Sequence, residues 1–300
     1  MPEIVKNCLL CGSEKNHLFD TRTFAGEKVE NRICASCGFV FQSPRMTSSE
    51  VEEFYIEQYR QLYQGNTDPN SKDLRMQKLR ASELTSFAAS RISQISRHLD
   101  IGSSAGLLLA SMHSIFDCAA VGVEPGQAYR EYAIASGLRV YASLQEMQAA
   151  GEDKFDLVTM SHVLEHIPDP LSYLVNLRQE ILTADGCLLV QVPNLYAHDS
   201  FEVAHLTAFS MHTLIQMYRM AGFEVIASQK HGYPRSTIIP YFLTVLGCPS
   251  PKKDEYSVKP ERFVSLKRRL GMLNRRGFGH FFPSLAWKLL DEEKIKELPA

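Results

Sequence analysis

The chain has 300 residues, 45% hydrophobic and 22% charged, with a formal net charge of −2. These proportions exclude a disordered chain, and a pI of about 6.6 argues against a protein that coats nucleic acid. At roughly 100–200 residues per domain, the length allows one large domain or two smaller ones. The apolar run Thr237–Cys248 is interrupted by Pro240 and falls short of the roughly 20 residues that cross a bilayer. The opening MPEIVKNCLL lacks a signal peptide's charged start and apolar core, so the expected location is cytoplasmic.

Residues 1–45 carry two C-x2-C pairs, Cys8/Cys11 and Cys34/Cys37, and short β-like runs such as Gly38 to Phe41. In a reducing compartment such hooks bind metal rather than each other. A tetrahedral zinc ion takes four thiolates at about 2.3 Å, which two tight turns supply in pairs. Gly12 and Gly38 follow the second cysteine of each hook, where a tight turn favours a residue without Cβ. The expectation is a structural zinc ribbon. Its six Lys/Arg against five Asp/Glu make a poor phosphate trap, so no nucleic-acid partner is expected. Cys118, Cys187 and Cys248 stand isolated in apolar surroundings and read as small core residues.

Residues 46–97 read as a helical linker. One helix covers 47–64, with Thr47 or Ser48 as N-cap and Phe54, Tyr55 and Tyr59 along it; a break follows at 64–70. A second helix covers about 71–97, with Leu74, Leu79, Leu84, Phe87, Ile92 and Ile95 on one face. From 98 to 230 the pattern alternates. Strands are expected near 98–101, 119–123, 138–141, 155–160, 186–192 and 223–229, with helices near 105–115, 126–136, 143–150, 170–182 and 210–221. Short apolar strands between helices predict an α/β domain whose mostly parallel sheet is covered on both faces. Residues 231–300 read as a C-terminal extension, partly helical and basic, with six Lys/Arg against one acid between Glu261 and Arg276. Such a stretch is either a solvated helix face or a contact for a partner, an anionic surface or a nucleotide-sugar diphosphate.

The first strand-to-helix turn reads Leu99-Asp100-Ile101-Gly102-Ser103-Ser104-Ala105-Gly106. Glycines there let backbone approach a ligand, and the following helix offers free N–H groups. The next strand ends Val121-Gly122-Val123-Glu124-Pro125, and an acid about 20 residues on can accept from both hydroxyls of a ribose. A nicotinamide dinucleotide calls for G-x-G-x-x-G; here the spacing is G-x-x-x-G behind an acid. Asp100 repels a pyrophosphate but suits an amino group, which favours S-adenosylmethionine.

With three further blocks the chain resembles the class I S-adenosylmethionine-dependent methyltransferases. They are Phe155-Asp156-Leu157-Val158-Thr159-Met160-Ser161-His162-Val163-Leu164-Glu165-His166-Ile167-Pro168-Asp169-Pro170, then Ala184 to Asn194, then Ala221-Gly222-Phe223-Glu224-Val225. The resemblance covers about 98–230 and implies a Rossmann-like, doubly wound, seven-stranded sheet. It places Asp100, Gly102, Ser103, Ser104 and Gly106 around the methionine half of the cofactor. Glu124 and Pro125 fall at its ribose, Ser143 and Leu144 at its adenine, and Ser161 and His162 beside the sulfonium. Ser104 departs from the middle glycine that many members carry. The N-terminal block is similar to leaders of sugar C-methyltransferases and of methyltransferases from bacterial polysaccharide clusters. With about 70 residues after the methyltransferase block, O-methylation of a sugar or glycan precursor is expected rather than C-methylation.

His162-x-x-Glu165-His166 also matches an inverted zinc-protease motif, but that site needs a continuous helix, and Pro168 allows little more than one turn. The segment Glu202 to Ser210 follows the fifth strand and borders the methyl group, where strand carboxyl ends gather ligands. His205 on it is the expected general base, with His166 in reserve. The alternatives are histidines that merely pack or tie down loops, C- or N-methylation of a small molecule, and a non-enzymatic adaptor built on a degenerate methyltransferase fold.

Overall fold

The computed structural model describes residues 2–57, 68–250 and 256–286. The residues between the two cysteine hooks, expected only as spacing, fold into a hairpin of β1 (Asn16–Phe24) and β2 (Glu27–Cys34). Ala25 and Gly26 turn it, both with positive φ, as a two-residue hairpin turn of matching twist requires. β3 (Val40–Gln42) pairs antiparallel with β2. Each hook closes a turn in which the glycine amide donates to the carbonyl of the hook's first cysteine, Gly12 to Cys8 at 2.8 Å and Gly38 to Cys34 at 2.9 Å. Cys8 and Cys37 Sγ lie 3.6 Å apart, as do Cys11 and Cys34 Sγ, and all four sulfurs fall within 4.8 Å of one another. A tetrahedral zinc with bonds of about 2.3 Å holds its sulfurs about 3.8 Å apart, so the four thiols fit the ion.

Helix α1 (Ser48–Glu57) follows; the expected continuation to 64, with Tyr59, lies outside the described residues. Helix α2 (Ser71–Ala89) starts on Asn70, whose side chain accepts from the Asp73 amide. It stops well short of 97, because the chain leaves helix at Ser90 and Ile95 is buried from the connection instead.

The alternating region then unfolds as expected in kind. It comprises β4 (Arg97–Ile101), α3 (Leu107–Phe116), β5 (Ala119–Val123), α4 (Gln127–Ala135), β6 (Arg139–Tyr141), α5 (Leu144–Ala149) and β7 (Phe155–Ser161). After a short 3-10 turn at Leu164–His166 come α6 (Pro170–Asn176), a π turn at Leu177–Ile181, β8 (Leu182–Pro193), the two-residue β9 (Thr207–Ala208), α7 (Met211–Met220) and β10 (Phe223–His231). Two elements follow that were not anticipated as strand and long helix: β11 (Phe242–Pro249) and α8 (Val264–Phe281), with a last turn α9 (Pro283–Ala286).

The large sheet has seven strands in the order β10-β11-β8-β7-β4-β5-β6. β6, β5, β4, β7 and β8 run parallel; at the β8 edge β11 runs antiparallel to them, and β10, antiparallel to β11, runs in their direction again. This is the expected Rossmann-like doubly wound arrangement, and helices cover both faces of a core of Leu, Val, Ile and Phe. The boundary expected at 230 is misplaced, because β11 inserts between β8 and β10 and carries the sheet to Pro249. All but its last residue lie in the apolar run Thr237–Cys248, where a short buried strand and a buried helix look alike in sequence.

β11 also corrects the reading of two cysteines. Gly247 lies opposite Leu188, so the adjacent pair Cys187 and Cys248 face each other with Cα atoms 4.2 Å apart and join in a disulfide. Cys118 remains a buried free thiol. The basic run forms α8, yet Arg268 is 7% exposed: its guanidinium bonds the Leu195 carbonyl and stacks 4.1 Å from the Phe201 ring centroid. No helix among the described residues is long and apolar enough to cross a membrane.

The ribbon is built into the domain. β9, on the segment that follows β8, completes the small sheet in the order β1-β2-β3-β9, with Val40 opposite Ala208 and Phe41 opposite Thr207. The Gln42 amide donates to the Leu206 carbonyl at 2.8 Å, and its side-chain Nε2 donates to the Glu202 carbonyl at 3.1 Å. Cys34→Ser is expected to release one equivalent of tightly held zinc, because a ligand set missing one thiolate forfeits much of the metal's folding free energy. Metal analysis reads the loss, and hydrogen exchange over 202–209 should quicken because that loop's ladder ends on β3. Unchanged zinc content would overturn the ribbon assignment.

Candidate active site

Parallel strands β4 and β7 run side by side, and their carboxyl ends open into a cavity of about 1350 Å³. Asp100, Gly102, Ser103, Ser104, Glu124, Pro125, Ser143, Leu144, Ser161, His162, His166 and His205 all line it. Gly106 does not. It caps α3 with φ +80°, and a Cβ there would sit 2.2 Å from Leu138 Cδ1, so this glycine serves close packing rather than ligand contact.

The loop after β4 is held from below. The Gly102 and Ser103 amides both donate to the Val123 carbonyl, at 2.8 and 3.0 Å. Glu124 accepts from the Ser104 amide through Oε2 at 2.8 Å and from the Gly126 amide through Oε1 at 2.9 Å. Ser104 takes the left-handed conformation, φ +50°, that the expected glycine adopts more easily, and its amide still reaches Glu124.

Asp100 is 3% exposed and accepts the Thr159 hydroxyl proton at 2.6 Å. That hydroxyl has given its one proton away, so His98 Nε2, 2.9 Å behind it, is the donor to Thr159. Burial pushes the Asp100 carboxyl up to about 7, against the Thr159 bond that pulls it down, and repulsion from Glu124 adds to the rise. One end of the cavity therefore holds two acidic side chains and the orphaned, buried Ser103 hydroxyl.

The other end holds imidazoles. His162 sits at the tip of β7 with φ +57°, its ring edge-on to Phe242 at 5.1 Å. Burial, then the positive charges of Arg80 and Arg235, push its pKa well down. His166 lies in the 3-10 turn, its Nδ1 2.8 Å from the Ala204 carbonyl. His205 Nδ1 lies 2.7 Å from the Ser200 carbonyl, and the two rings are 4.6 Å apart. A carbonyl only accepts, so both Nδ1 atoms carry the proton and both Nε2 atoms carry the lone pair. Burial drives His205 down to about 4 and His166 well below its ordinary value. His205, the expected general base, is thereby held as the neutral imidazole. The short turn also settles the protease reading: His162 stands on the strand exit and His166 in a three-residue 3-10 turn, not one turn apart on a continuous helix.

Several contributors escaped the sequence reading. Asp73, Gln77 and Arg80 of α2 line the cavity at i, i+4 and i+7, the polar counterpart of the apolar face that was noted. Gln77 accepts from the Ala105 amide at 3.2 Å and donates to Asp73, which also receives the Tyr129 hydroxyl at 2.7 Å. Glu165, 1% exposed, is pushed up to about 8 by burial, and neither of its oxygens has a hydrogen-bond partner.

The fold is similar to that of 1,6-didemethyltoxoflavin-N1-methyltransferase from Burkholderia thailandensis, solved with 1,6-didemethyltoxoflavin and S-adenosylhomocysteine. The TM-score is 0.54 at 17% identity, covering 79% of this chain and 99% of that one. A plantazolicin methyltransferase bound to S-adenosylhomocysteine gives 0.50 at 10% identity, over 67% and 94% of the two chains. At such identities the likeness is one of fold. In sequence, a ubiquinone biosynthesis O-methyltransferase of Haemophilus ducreyi is 30% identical over 106 residues, 32% of this chain and 44% of the relative. One of Klebsiella pneumoniae is 35% identical over 80 residues, 25% of this chain and 33% of the relative. The match therefore spans less than half the length of these curated relatives. A family model described as a methyltransferase domain matches residues 73–228, more than half of the 300, and the chain belongs to that family.

Proposed function

We propose that this protein transfers a methyl group from S-adenosylmethionine to a hydroxyl of a small molecule. The observation that carries the reading is the polarity of the cavity: two acids at the end beneath the β4 loop, and two neutral imidazoles with Nε2 lone pairs at the other. The residues fit the cofactor. Ionised Asp100 suits an ammonium group, Glu124 lines the cavity where a carboxylate can accept from ribose hydroxyls, and Ser143 and Leu144 offer a rim for a base. When bound, the sulfonium supplies the electrophilic methyl. The chain's part is to align acceptor and methyl and to exclude water, which is worth several kcal/mol of barrier. His205 and His166 act on the acceptor through their Nε2 lone pairs, helping the hydroxyl to lose its proton.

Transfer to oxygen agrees with the names of the curated relatives, which are ubiquinone biosynthesis O-methyltransferases. The sugar or glycan acceptor, and with it polysaccharide biosynthesis, rests only on the N-terminal block, and no relative or neighbour described above carries a name that speaks for it. We take a ubiquinone-precursor-like hydroxyl as the first acceptor to test.

Two binding experiments check the cofactor end. Affinity for S-adenosylhomocysteine should fall as pH drops through about 7, up to tenfold per unit, because its ammonium pairs only with ionised Asp100. The sign follows from the raised pKa: at lower pH the free site is protonated and a proton must leave on binding. Asp100→Asn should flatten that dependence. Glu124→Ala should weaken binding by roughly 2–4 kcal/mol, some 30- to 1000-fold, since it removes two loop bonds and the ribose acceptor. Binding within about threefold of the parent would remove Glu124 from the site.

The acceptor is read by mass spectrometry after incubation with S-adenosylmethionine and either quinone precursors or nucleotide sugars, looking for one added methyl. On whichever is methylated, His205→Ala should lower turnover by about 10²–10⁴ while S-adenosylhomocysteine binding stays nearly intact. Full activity in His205→Ala with loss in His166→Ala would transfer the role to His166. A chain that binds no S-adenosylhomocysteine at all would favour a non-enzymatic adaptor.

A further inference from the structure

The acceptor end of the cavity holds more than two lone pairs. The donor atoms of Glu165, His166 and His205 all lie within 4.8 Å of one another, and Glu165 Oε1 is 3.9 Å from His166 Nε2. We propose that these three side chains form a binding site for a divalent first-row transition cation, which holds the acceptor hydroxyl and makes it more acidic. The inference rests on the reading of His166 and His205 as the groups that act on the acceptor, and it specifies how they do so.

Three observations support it. Glu165 is 1% exposed and has no hydrogen-bond partner on either oxygen, and native structures seldom leave a buried carboxyl group in that condition. The nearest imidazole nitrogen of the strand exit, His162 Nδ1, stands 3.4 Å from Oε1 without making a hydrogen bond to it.

The second observation is orientation. His166 and His205 each have Nδ1 tied to a backbone carbonyl, Ala204 and Ser200 respectively. Metal-bound imidazoles are held this way, with the outer nitrogen donating to a carbonyl so that the inner one keeps its lone pair on the metal. Those carbonyls belong to the loop that β3 of the ribbon clamps, so the backbone, not side-chain chance, aims the second ring. The third is donor type. Two imidazoles and one carboxylate suit first-row divalent ions and leave open positions for a substrate oxygen. Glu202 Oε2, 3.9 Å from His205 Nε2, is a further oxygen on the same cavity wall. Bonds of about 2.1 Å require the three donors to close by roughly 1 Å, within rotamer adjustment.

The chemistry balances without a further reactant. The acceptor O–H gives its proton to solvent, the oxygen forms a bond to the methyl carbon, and the sulfonium S–C bond breaks with its electron pair left on sulfur. The cation changes neither charge nor number. Its contribution is to stabilise the developing alkoxide or phenoxide character.

Cobalt(II) alone is the probe, titrated into the full chain with its ribbon zinc in place. Cobalt on four thiolates shows intense sulfur charge-transfer absorption, whereas cobalt on imidazole and carboxylate does not, so the two sites are distinguished in one spectrum. One equivalent should bind without sulfur bands. Glu165→Gln and His166→Ala should each weaken that binding by more than about 100-fold, the upper end of what even an outer-shell partner is worth. Retained S-adenosylhomocysteine binding attests that each variant is folded; where Glu165→Gln is not, His205→Ala takes its place in the comparison. No cobalt binding by the parent, or binding indifferent to these variants, overturns the site. In that event His166 and His205 act on the acceptor directly and the proposed function stands. A parent that binds cobalt but neither S-adenosylhomocysteine nor S-adenosylmethionine refutes the methyltransferase reading instead.

Discussion

The cavity exists because β4 hydrogen-bonds β5 on one side and β7 on the other, all three parallel. Parallel neighbours bring their carboxyl ends to one edge, and the connections that follow must leave over the sheet faces, so a crevice opens where they part. Everything chemical hangs on that crevice. Asp100 is the last residue but one of β4, Glu124 follows β5, Ser161 ends β7 and His162 follows it. The register that seats Asp100 beside Thr159 also buries His98 behind them, so the acid nearest the crevice floor is held by a three-member polar chain. Such a chain is stabilising only when every bond is made, which fixes its members as a unit.

A second dependence runs from the N-terminus. The ribbon contributes no residue to the cavity wall, yet β3 supplies the ladder on which the His205 loop ends. Without that strand, β9 has only two residues of its own and a bridge from Phe209 to Asn194. Phe39 packs 5.4 Å from Phe209, and Arg45 reaches across to the Pro168 carbonyl at 2.7 Å, beside the turn that bears His166. The cysteine hooks thus flank a strand whose outer edge positions both histidine-bearing segments. A small segment of this kind has too little core to order itself, which gives the four thiolates their place in the fold.

Burial then decides the character of the imidazoles. Their neutrality follows from removal from water rather than from hydrogen bonds, and carbonyl partners on Nδ1 choose which nitrogen is bare. The same burial acts in the opposite sense on Asp100 and Glu165, raising both.

What the sequence determined by itself was local and periodic. The C-x2-C hooks with their glycines, the alternation of short apolar strands with helices, and the strand-end motifs around Asp100, Glu124 and His162 are patterns within a few residues, and each names its chemistry. Gly106 shows the limit of such reading, since the same glycine signal served packing against Leu138. Tertiary structure alone decided what depends on residues far apart in the chain. β11 becomes a strand because β8 offers it an edge, and only that pairing sets Cys187 against Cys248. Gln42 reaches Glu202, and Glu165 meets His205, across 160 and 40 residues of sequence, and a helix face of Asp73, Gln77 and Arg80 turns inward only once α2 covers the crevice. A side chain's charge state follows the dielectric and partners around it, and those are properties of the assembled fold, which no window along the chain contains.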